Sequence, residues 1–368
     1  MSESRLQQLS ELGQSVWIDY LSRDLLRTGE LARMMREDAV VGVTSNPTIF
    51  QKAISHGDAY DEQLKECLEE LSEPKEIFLH LTQTDVVEAC ELLRPVWDDA
   101  HGKDGYVSWE VDPNLANDTE ATIAEARRLH ELGDQPNLFV KIPATKAGLP
   151  AIEEMIAAGK NINVTLIFSL ERYAEVAEAY LRGLERLVEA GGDPSRVASV
   201  ASFFVSRVDT EADKRLDAVG GHDELKGKLA VANAKLAYQR YKEIFAGERW
   251  HTLAAKGATK QRCLWASTST KNPEYRDVLY VEELIGPETV NTMPEETIEA
   301  FQDHGEVGLT LEWGLDKAKL VFEQIAEAGV DYDDVVRVLE EEGVEKFADS
   351  FKELLDGVEA KRGQLVSA

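Results

Sequence analysis

The chain has 368 residues, of which 43% are hydrophobic, so it can bury a large core as one barrel or two medium domains. Its net charge of −29 argues against nucleic acid or an anionic membrane as the main partner, because most of the surface would repel them. Three scattered cysteines and seven histidines favour reduced thiols over a disulfide framework, and we expect no metal site. The start of the chain lacks signal-peptide features, and no run approaches the ~18 apolar residues of a membrane span. We therefore expect a soluble, cytoplasmic protein.

Short β-rich segments alternate with longer helical segments along most of the chain. The predicted strands cover residues 16–19, 40–44, 106–111, 138–142, 162–168, 197–205, 262–267 and 289–292. Most are rich in Val, Ile, Phe or Trp and are bounded by Gly, Pro, Asn or Asp. After the fifth strand, Ser169 can cap a helix whose apolar residues recur at spacings of three and four until Gly191.

Eight strands, each followed by helical sequence, predict an α/β fold, a (β/α)8 TIM barrel, as one domain over residues 1–368. A doubly wound open sheet is less favoured, because no glycine-rich phosphate fingerprint follows the first strand. Extra helices are expected between strands two and three, around residues 60–71 and 84–96, and in the C-terminal extension over 295–368. Both extra regions should pack on the barrel.

Lys141 lies in the apolar run Asn137-Leu-Phe-Val-Lys-Ile-Pro-Ala-Thr145 and shares a strand face with Phe139. Burial disfavours an ammonium group and can lower a lysine pKa by several units from ~10.4, which suits an amine that attacks carbonyls. Lys141 is therefore a candidate Schiff-base nucleophile. The alternative is a strand-end lysine whose charged head reaches water.

Polar residues at other strand ends have the same phase as Lys141, namely Asp19, Glu110, Asn163 and Thr165. Barrel active sites lie at the carboxyl ends of the strands, so we expect these side chains to converge, although any one alone could be a cap or turn residue. An amine with two carboxylates suits imine chemistry, in which one carboxylate shuttles protons and the other drives C–C cleavage. An ionised carboxylate would favour the ammonium form of Lys141, so spacing or water between them is expected.

A phosphate site should appear as local basic residues against the acidic background. The seventh strand leads into Trp265-Ala-Ser-Thr-Ser-Thr-Lys271, and the sixth carries Ser202-Phe-Phe-Val-Ser-Arg207. Loops after strands seven and eight are the usual phosphate position in such barrels, and hydroxyls with a lysine suit an anion. Arg207 on the adjacent strand would add a planar guanidinium group to this site. The alternative is that the Ser/Thr run is an ordinary polar loop.

Several segments resemble the transaldolase family. Thr44-Ser-Asn-Pro-Thr48 resembles its Thr-Asn-Pro signature, and Val140-Lys-Ile-Pro-Ala-Thr145 resembles the segment with its Schiff-base lysine. Asn163-Val-Thr-Leu-Ile-Phe-Ser169 is similar to its Asn-x-Thr-Leu-x-Phe-Ser stretch, and Ser202 to Arg207 to its Ser-x-Phe-Val-x-Arg. The match runs from about residue 19 to 292, and the tail resembles a longer bacterial subgroup. The better-studied members carry an arginine where this chain has Ser269.

The resemblance implies a class I aldolase-type barrel without a cofactor. It would transfer a dihydroxyacetone unit from sedoheptulose 7-phosphate or fructose 6-phosphate to glyceraldehyde 3-phosphate or erythrose 4-phosphate, in the non-oxidative pentose phosphate pathway. Lys141 would form the imine, Asp19 would act as acid and base, and Glu110 with Thr165 would hold the catalytic water. The implied substrate-binding residues are Asn46, Asn163, Ser202, Phe204, Arg207 and Ser267, with Lys271 replacing the missing arginine charge.

Three other functions remain open. A fructose-6-phosphate aldolase would use the same imine but release free dihydroxyacetone. A metal-dependent sugar-phosphate isomerase or epimerase is weakened by the scarcity of histidine near the candidate site. A non-catalytic acidic binding protein would not need a desolvated amine. The expected partners are small sugar phosphates, with no nucleic acid and no membrane, and both a monomer and a homodimer are compatible with the sequence.

Overall fold

The computed structural model describes residues 4–55 and 57–367. Within these residues eight parallel strands close into a barrel in chain order. They are β1 (Gln14–Ile18), β2 (Val40–Val43), β3 (Tyr106–Glu110), β4 (Leu138–Pro143), β5 (Ile162–Ile167), β6 (Ser199–Phe204), β7 (Arg262–Ala266) and β8 (Thr289–Met293). Pairing of β1 with both β2 and β8 closes the barrel. The predicted (β/α)8 barrel is confirmed and the open-sheet alternative is wrong, although β1 begins at Gln14 rather than at residue 16.

Helices connect the strands and continue after β8. They are α1 (Arg5–Glu11), α2 (Arg23–Arg27), α3 (Glu30–Glu37), α4 (Pro47–Ser55), α5 (Asp61–Glu70), α6 (Pro74–Asp99), α7 (Thr119–Gly133), α8 (Gly148–Ala157), α9 (Leu170–Glu189), α10 (Ser206–Val219), α11 (Leu229–Ile244), α12 (Glu248–Ala254), α13 (Leu279–Glu283), α14 (Glu295–His304), α15 (Leu315–Glu327) and α16 (Tyr332–Ser367). Both expected extra regions are therefore helical. Ser169 caps α9 as predicted, since its side chain accepts a hydrogen bond from Arg172 N. Among the described helices, none is long and apolar enough to cross a membrane.

Aromatic side chains fill the amino-terminal half of the barrel interior. The rings of Tyr106 and Phe139 stack with centroids 4.1 Å apart, and Trp17 lies 6.1 Å from Phe139. Because β1 does not neighbour β4, this last contact crosses the interior. Gly42 leaves room for the indole, since a Cβ there would lie 2.5 Å from the Trp17 ring. These rings form a packed floor beneath the carboxyl end of the barrel.

Strand β5 departs from simple alternation. Its pairing with β6 shifts within the strand, and Leu166 has a φ of 59°. A bulge of this kind bends a strand and re-aims its side chains. Phe168 then contacts Phe204, with ring centroids 5.3 Å apart. Strict alternation, which would give Leu166 and Phe168 the same face as Ile162, therefore ends inside β5.

The last helix, α16, lies across the carboxyl ends of the strands. Thr48 on α4 donates a hydrogen bond to Ser350 at 2.8 Å, and Arg172 on α9 pairs with Glu340 at 3.2 Å. Since α4 follows β2 and α9 follows β5, these contacts span the mouth of the barrel. At Gly343 the helix comes close to β5, because an added Cβ would lie 3.1 Å from a Leu166 methyl carbon. The C-terminal extension therefore covers part of the barrel opening.

Candidate active site

A cavity of about 220 Å³ lies at the carboxyl end of the barrel, beside α16. Most of the residues predicted for the site line it: Asp19, Asn46, Lys141, Thr165, Ser202, Phe204, Arg207, Ser267 and Lys271. The other two predicted residues, Glu110 and Asn163, lie beside and below this chamber. The structure thus brings together residues from strands far apart in the sequence.

Lys141 reaches the chamber from β4, and its side chain is 6% exposed. Its Nζ donates a hydrogen bond to the backbone oxygen of Ser45 at 2.9 Å. The β3–β4 register pairs Glu110 with Lys141, and Glu110 Oε2 lies 3.1 Å from Nζ as an ion-pair contact. The expectation of spacing or water between the lysine and this carboxylate is therefore wrong, because neighbouring strands hold the two groups in direct contact.

The Glu110 carboxyl has an unusual environment for an acid. Burial raises its pKa above the ordinary value, and the positive charge of Lys141 partly opposes this. A carboxyl group that holds its proton more tightly can act as a general acid toward a group bound next to it.

Asp19 follows β1, and its backbone N–H donates to Met293 O at 2.8 Å, which extends the pairing with β8. Thr44 donates a hydrogen bond from Oγ1 to Asp19 Oδ1 at 2.7 Å. Burial raises the pKa of Asp19, while Lys141 and then the Thr44 hydrogen bond lower it. Because these effects on its pKa oppose one another and part of its surface is open to the chamber, the Asp19 carboxyl group can act as a base and then as an acid.

Asn163 lies beneath the chamber rather than on its wall, and it is fully buried. Its Nδ2 donates to Ser108 Oγ at 3.0 Å, and its Oδ1 accepts from Ser202 Oγ at 2.7 Å. These bonds hold Ser202 in place at the chamber floor. On the same strand, Thr165 Oγ1 is buried and has no hydrogen-bond partner within the described part of the chain. That hydroxyl is free to bind water or substrate.

Asn46 begins α4, because its Oδ1 accepts a hydrogen bond from Ile49 N at 3.0 Å. Pro47 at the first helical position lacks the N–H that would otherwise need a partner. Since the cap uses the side-chain oxygen, the Asn46 amide nitrogen remains available as a donor toward the chamber.

Basic side chains gather at one end of the chamber. Arg207, at the start of α10, pairs with none of the described carboxylates, and burial lowers its pKa. Its Cζ lies 4.9 Å from the centroid of the Phe204 ring. Lys271 Nζ donates a hydrogen bond to Ser269 Oγ at 2.6 Å. Ser269 occupies the position where the resemblance implied an arginine. Two cations and several hydroxyls therefore face one region, as an anion site requires.

Sequence reasoning missed three residues of the site. Thr44 begins the Thr-Ser-Asn-Pro segment, and Thr292 ends the eighth predicted strand, so strand phase could have indicated both.

The third missed residue, Phe347, lines the chamber from α16. Helical periodicity can assign an apolar face to this tail, but it cannot say which part of the barrel that face covers.

Comparison with known proteins identifies the family. The model of the family described as "Transaldolase/Fructose-6-phosphate aldolase" matches residues 16–358. A transaldolase of Frankia alni is 54% identical over 362 residues, which cover 98% of each chain. A transaldolase of Acidothermus cellulolyticus is 56% identical over 355 residues, 96% of this chain and 95% of the relative. "Transaldolase 2" of Streptomyces coelicolor is 52% identical over 364 residues, 98% of each chain. The chain therefore belongs to the transaldolase family.

Proposed function

We propose that the protein is a cytoplasmic transaldolase that works through an imine on Lys141 without a cofactor. It moves a dihydroxyacetone unit from sedoheptulose 7-phosphate or fructose 6-phosphate to glyceraldehyde 3-phosphate or erythrose 4-phosphate, as in the non-oxidative pentose phosphate pathway. The observation that carries the proposal is the contact between the buried Lys141 amine and Glu110, at 3.1 Å, beside a chamber that also contains Asp19.

Imine formation needs an amine, a proton relay and a leaving water. The neutral Lys141 amine attacks the ketose carbonyl carbon, and the carbonyl oxygen leaves as water after it gains protons. Glu110 supplies and recovers these protons. The Thr165 hydroxyl, which has no hydrogen-bond partner among the residues that the structure describes, holds the water that relays them. The protonated imine then accepts electrons from the bond to be cleaved.

Cleavage needs a base at the hydroxyl next to that bond. Asp19 removes the hydroxyl proton, the C–C bond breaks, and the aldose phosphate leaves as the aldehyde. The electron pair of the broken bond stays on the dihydroxyacetone unit, which remains attached to the Lys141 nitrogen as an enamine. The enamine attacks the carbonyl carbon of the acceptor aldehyde, whose oxygen takes the proton back from Asp19. Hydrolysis of the new imine returns the free lysine and the product ketose phosphate.

The basic end of the chamber would bind the substrate phosphate. Arg207 offers a planar set of donors, and Lys271 lies at hydrogen-bond distance from Ser269. Lys271 thus supplies the charge that the missing arginine would give. Ser267 would add a hydroxyl to the phosphate contacts, while the Asn46 amide would bind a hydroxyl of the dihydroxyacetone unit and Ser202 lies on the floor below.

The second candidate function is a fructose-6-phosphate aldolase, which the family description also names. It uses the same imine but releases dihydroxyacetone to water. Incubation with fructose 6-phosphate alone separates the two activities, because a transaldolase needs an acceptor aldehyde for turnover. Steady release of dihydroxyacetone without an acceptor would favour the aldolase.

Borohydride reduction with fructose 6-phosphate, followed by mass spectrometry and peptide mapping, tests the imine. We expect a stable adduct on Lys141 that is lost in Lys141→Met. Lys235 is a matched control, because it is also buried and pairs with Glu283 at 2.7 Å outside the chamber. Lys235→Met should keep the adduct. No adduct in folded protein, or loss of turnover in EDTA, would refute the proposal and favour the binding-protein or metal-dependent alternative.

A further inference from the structure

Phe347 is part of the chamber wall, although the proposed reaction does not use it. The residue is 6% exposed and comes from α16, far along the chain from the strands. Its ring centroid lies 5.7 Å from Arg207 Cζ and 6.0 Å from Lys141 Nζ. One ring of the C-terminal extension therefore lies near both cations.

Two aromatic rings lie close to the Arg207 guanidinium, whereas the described carboxylates that act on its charge, those of Asp19, Glu110 and Glu342, form no ion pair with it. Besides Phe347, the Phe204 ring lies 4.9 Å from its Cζ. Nη1 is buried and has no hydrogen-bond partner among residues 4–55 and 57–367. A guanidinium that packs on rings keeps its N–H donors free, so they can bind an incoming anion.

The position of Phe347 is fixed by the packing of α16. Gly343, one helical turn earlier, allows the close approach to Leu166 on β5. On the far side of Phe347, Ser350 accepts the hydrogen bond from Thr48. The ring is thus held between two attachment points on a helix instead of lying on a loop.

We propose that Phe347 is a positioning residue, whose ring, together with that of Phe204, holds the Arg207 guanidinium ready to bind the substrate phosphate. This inference rests on the proposed function for the identity of the substrate. It makes the C-terminal extension a part of the active site.

Phe347→Leu removes the ring but keeps an apolar side chain, and Phe347→Tyr keeps the ring. For Phe347→Leu we expect KM for fructose 6-phosphate and the dissociation constant of inorganic phosphate to rise about tenfold, the size of one cation–π contact. The kcat should change less than about twofold, because the ring touches no reacting atom. Phe347→Tyr should restore both constants. Leu354→Ala is the control, since Leu354 is buried on α16 outside the chamber lining.

Calorimetry with inorganic phosphate needs no turnover, so it separates this inference from the proposed function. Failure of dihydroxyacetone to form a trapped imine in the wild type would overturn the proposed function alone. The role of Phe347 would be overturned if the dissociation constant of phosphate were unchanged in Phe347→Leu. It would also be overturned if this constant rose as much in Leu354→Ala, or if Phe347→Tyr did not restore it. Should the leucine variant not fold, Phe347→Met, which also lacks a ring, gives the same test.

Discussion

The hydrogen bond from Thr44 to Asp19 allows a test of which carboxylate acts as the base. Thr44 Oγ1 lies 2.7 Å from Asp19 Oδ1 and 2.6 Å from Thr292 Oγ1. Because Thr44 has one hydroxyl proton and gives it to Asp19, Thr292 must donate to Thr44. Thr44→Val removes the hydroxyl but keeps a β-branched side chain of similar shape.

The expected effect follows from the loss of one bond to a charged group. Such a hydrogen bond is worth about 1.5–3 kcal/mol, and one pKa unit corresponds to about 1.4 kcal/mol. Burial raises the pKa of Asp19 and this hydrogen bond lowers it, so its removal should raise that pKa by about one to two units. Since Asp19 must be ionised to remove the hydroxyl proton, the acid limb of kcat/KM should move to higher pH by the same amount.

The assay is the pH dependence of kcat/KM with fructose 6-phosphate and erythrose 4-phosphate. Thr292→Val is the control, because it removes a hydroxyl one step farther from the carboxylate and should shift the limb less than half as much. An acid limb that stays in place in Thr44→Val, or moves to lower pH, would refute the assignment of Asp19 as the base. Glu110 would then be the next candidate.

Two further predictions concern charge. Lys271→Met should raise KM for fructose 6-phosphate roughly three- to tenfold, because the lysine contacts the phosphate of this ligand. The amount of imine trapped from dihydroxyacetone, which has no phosphate, should not fall. An equal loss of binding for both ligands would contradict this prediction. Burial raises the pKa of Asp209 to about 7, so its protonated form stabilises the fold below pH ~4, and that contribution is lost as pH rises through about 7. The free energy of unfolding of wild type relative to Asp209→Asn should therefore fall over this window by roughly 4 kcal/mol at most, measured by urea denaturation. A pH-independent difference would contradict the role of Asp209.

The strands and much of the site could be predicted because local patterns determine them. Apolar alternation identifies β4, and parallel register in a closed barrel then requires that residues of equal phase meet at one end. Glu110 and Lys141 illustrate this, since each lies near the end of its strand and the β3–β4 register pairs them. Direct contact between them was not predicted, because strand phase gives a direction but no distance.

Other features depend on packing between distant segments. The bulge at Leu166 arises where β5 meets β6 and α16, and the residues of β5 alone give no sign of it. Phe347 belongs to a helix whose place on the barrel depends on the close approach at Gly343. A single sequence shows that this tail is helical, but tertiary contacts decide what it covers.

The net charge of −29 and the proposed phosphate site are compatible, because their electric fields act over different distances. At physiological ionic strength, exposed charges are largely screened beyond about 8 Å. Among the described residues that line the chamber are three basic side chains, Lys141, Arg207 and Lys271, and one carboxyl group, that of Asp19, while Glu110 lies beside the chamber. Because burial raises the pKa of both carboxyl groups, it shifts the local charge further toward positive. We therefore expect the acidic surface to oppose large anionic partners, while the proposed site in the chamber would favour a small phosphate that has entered it.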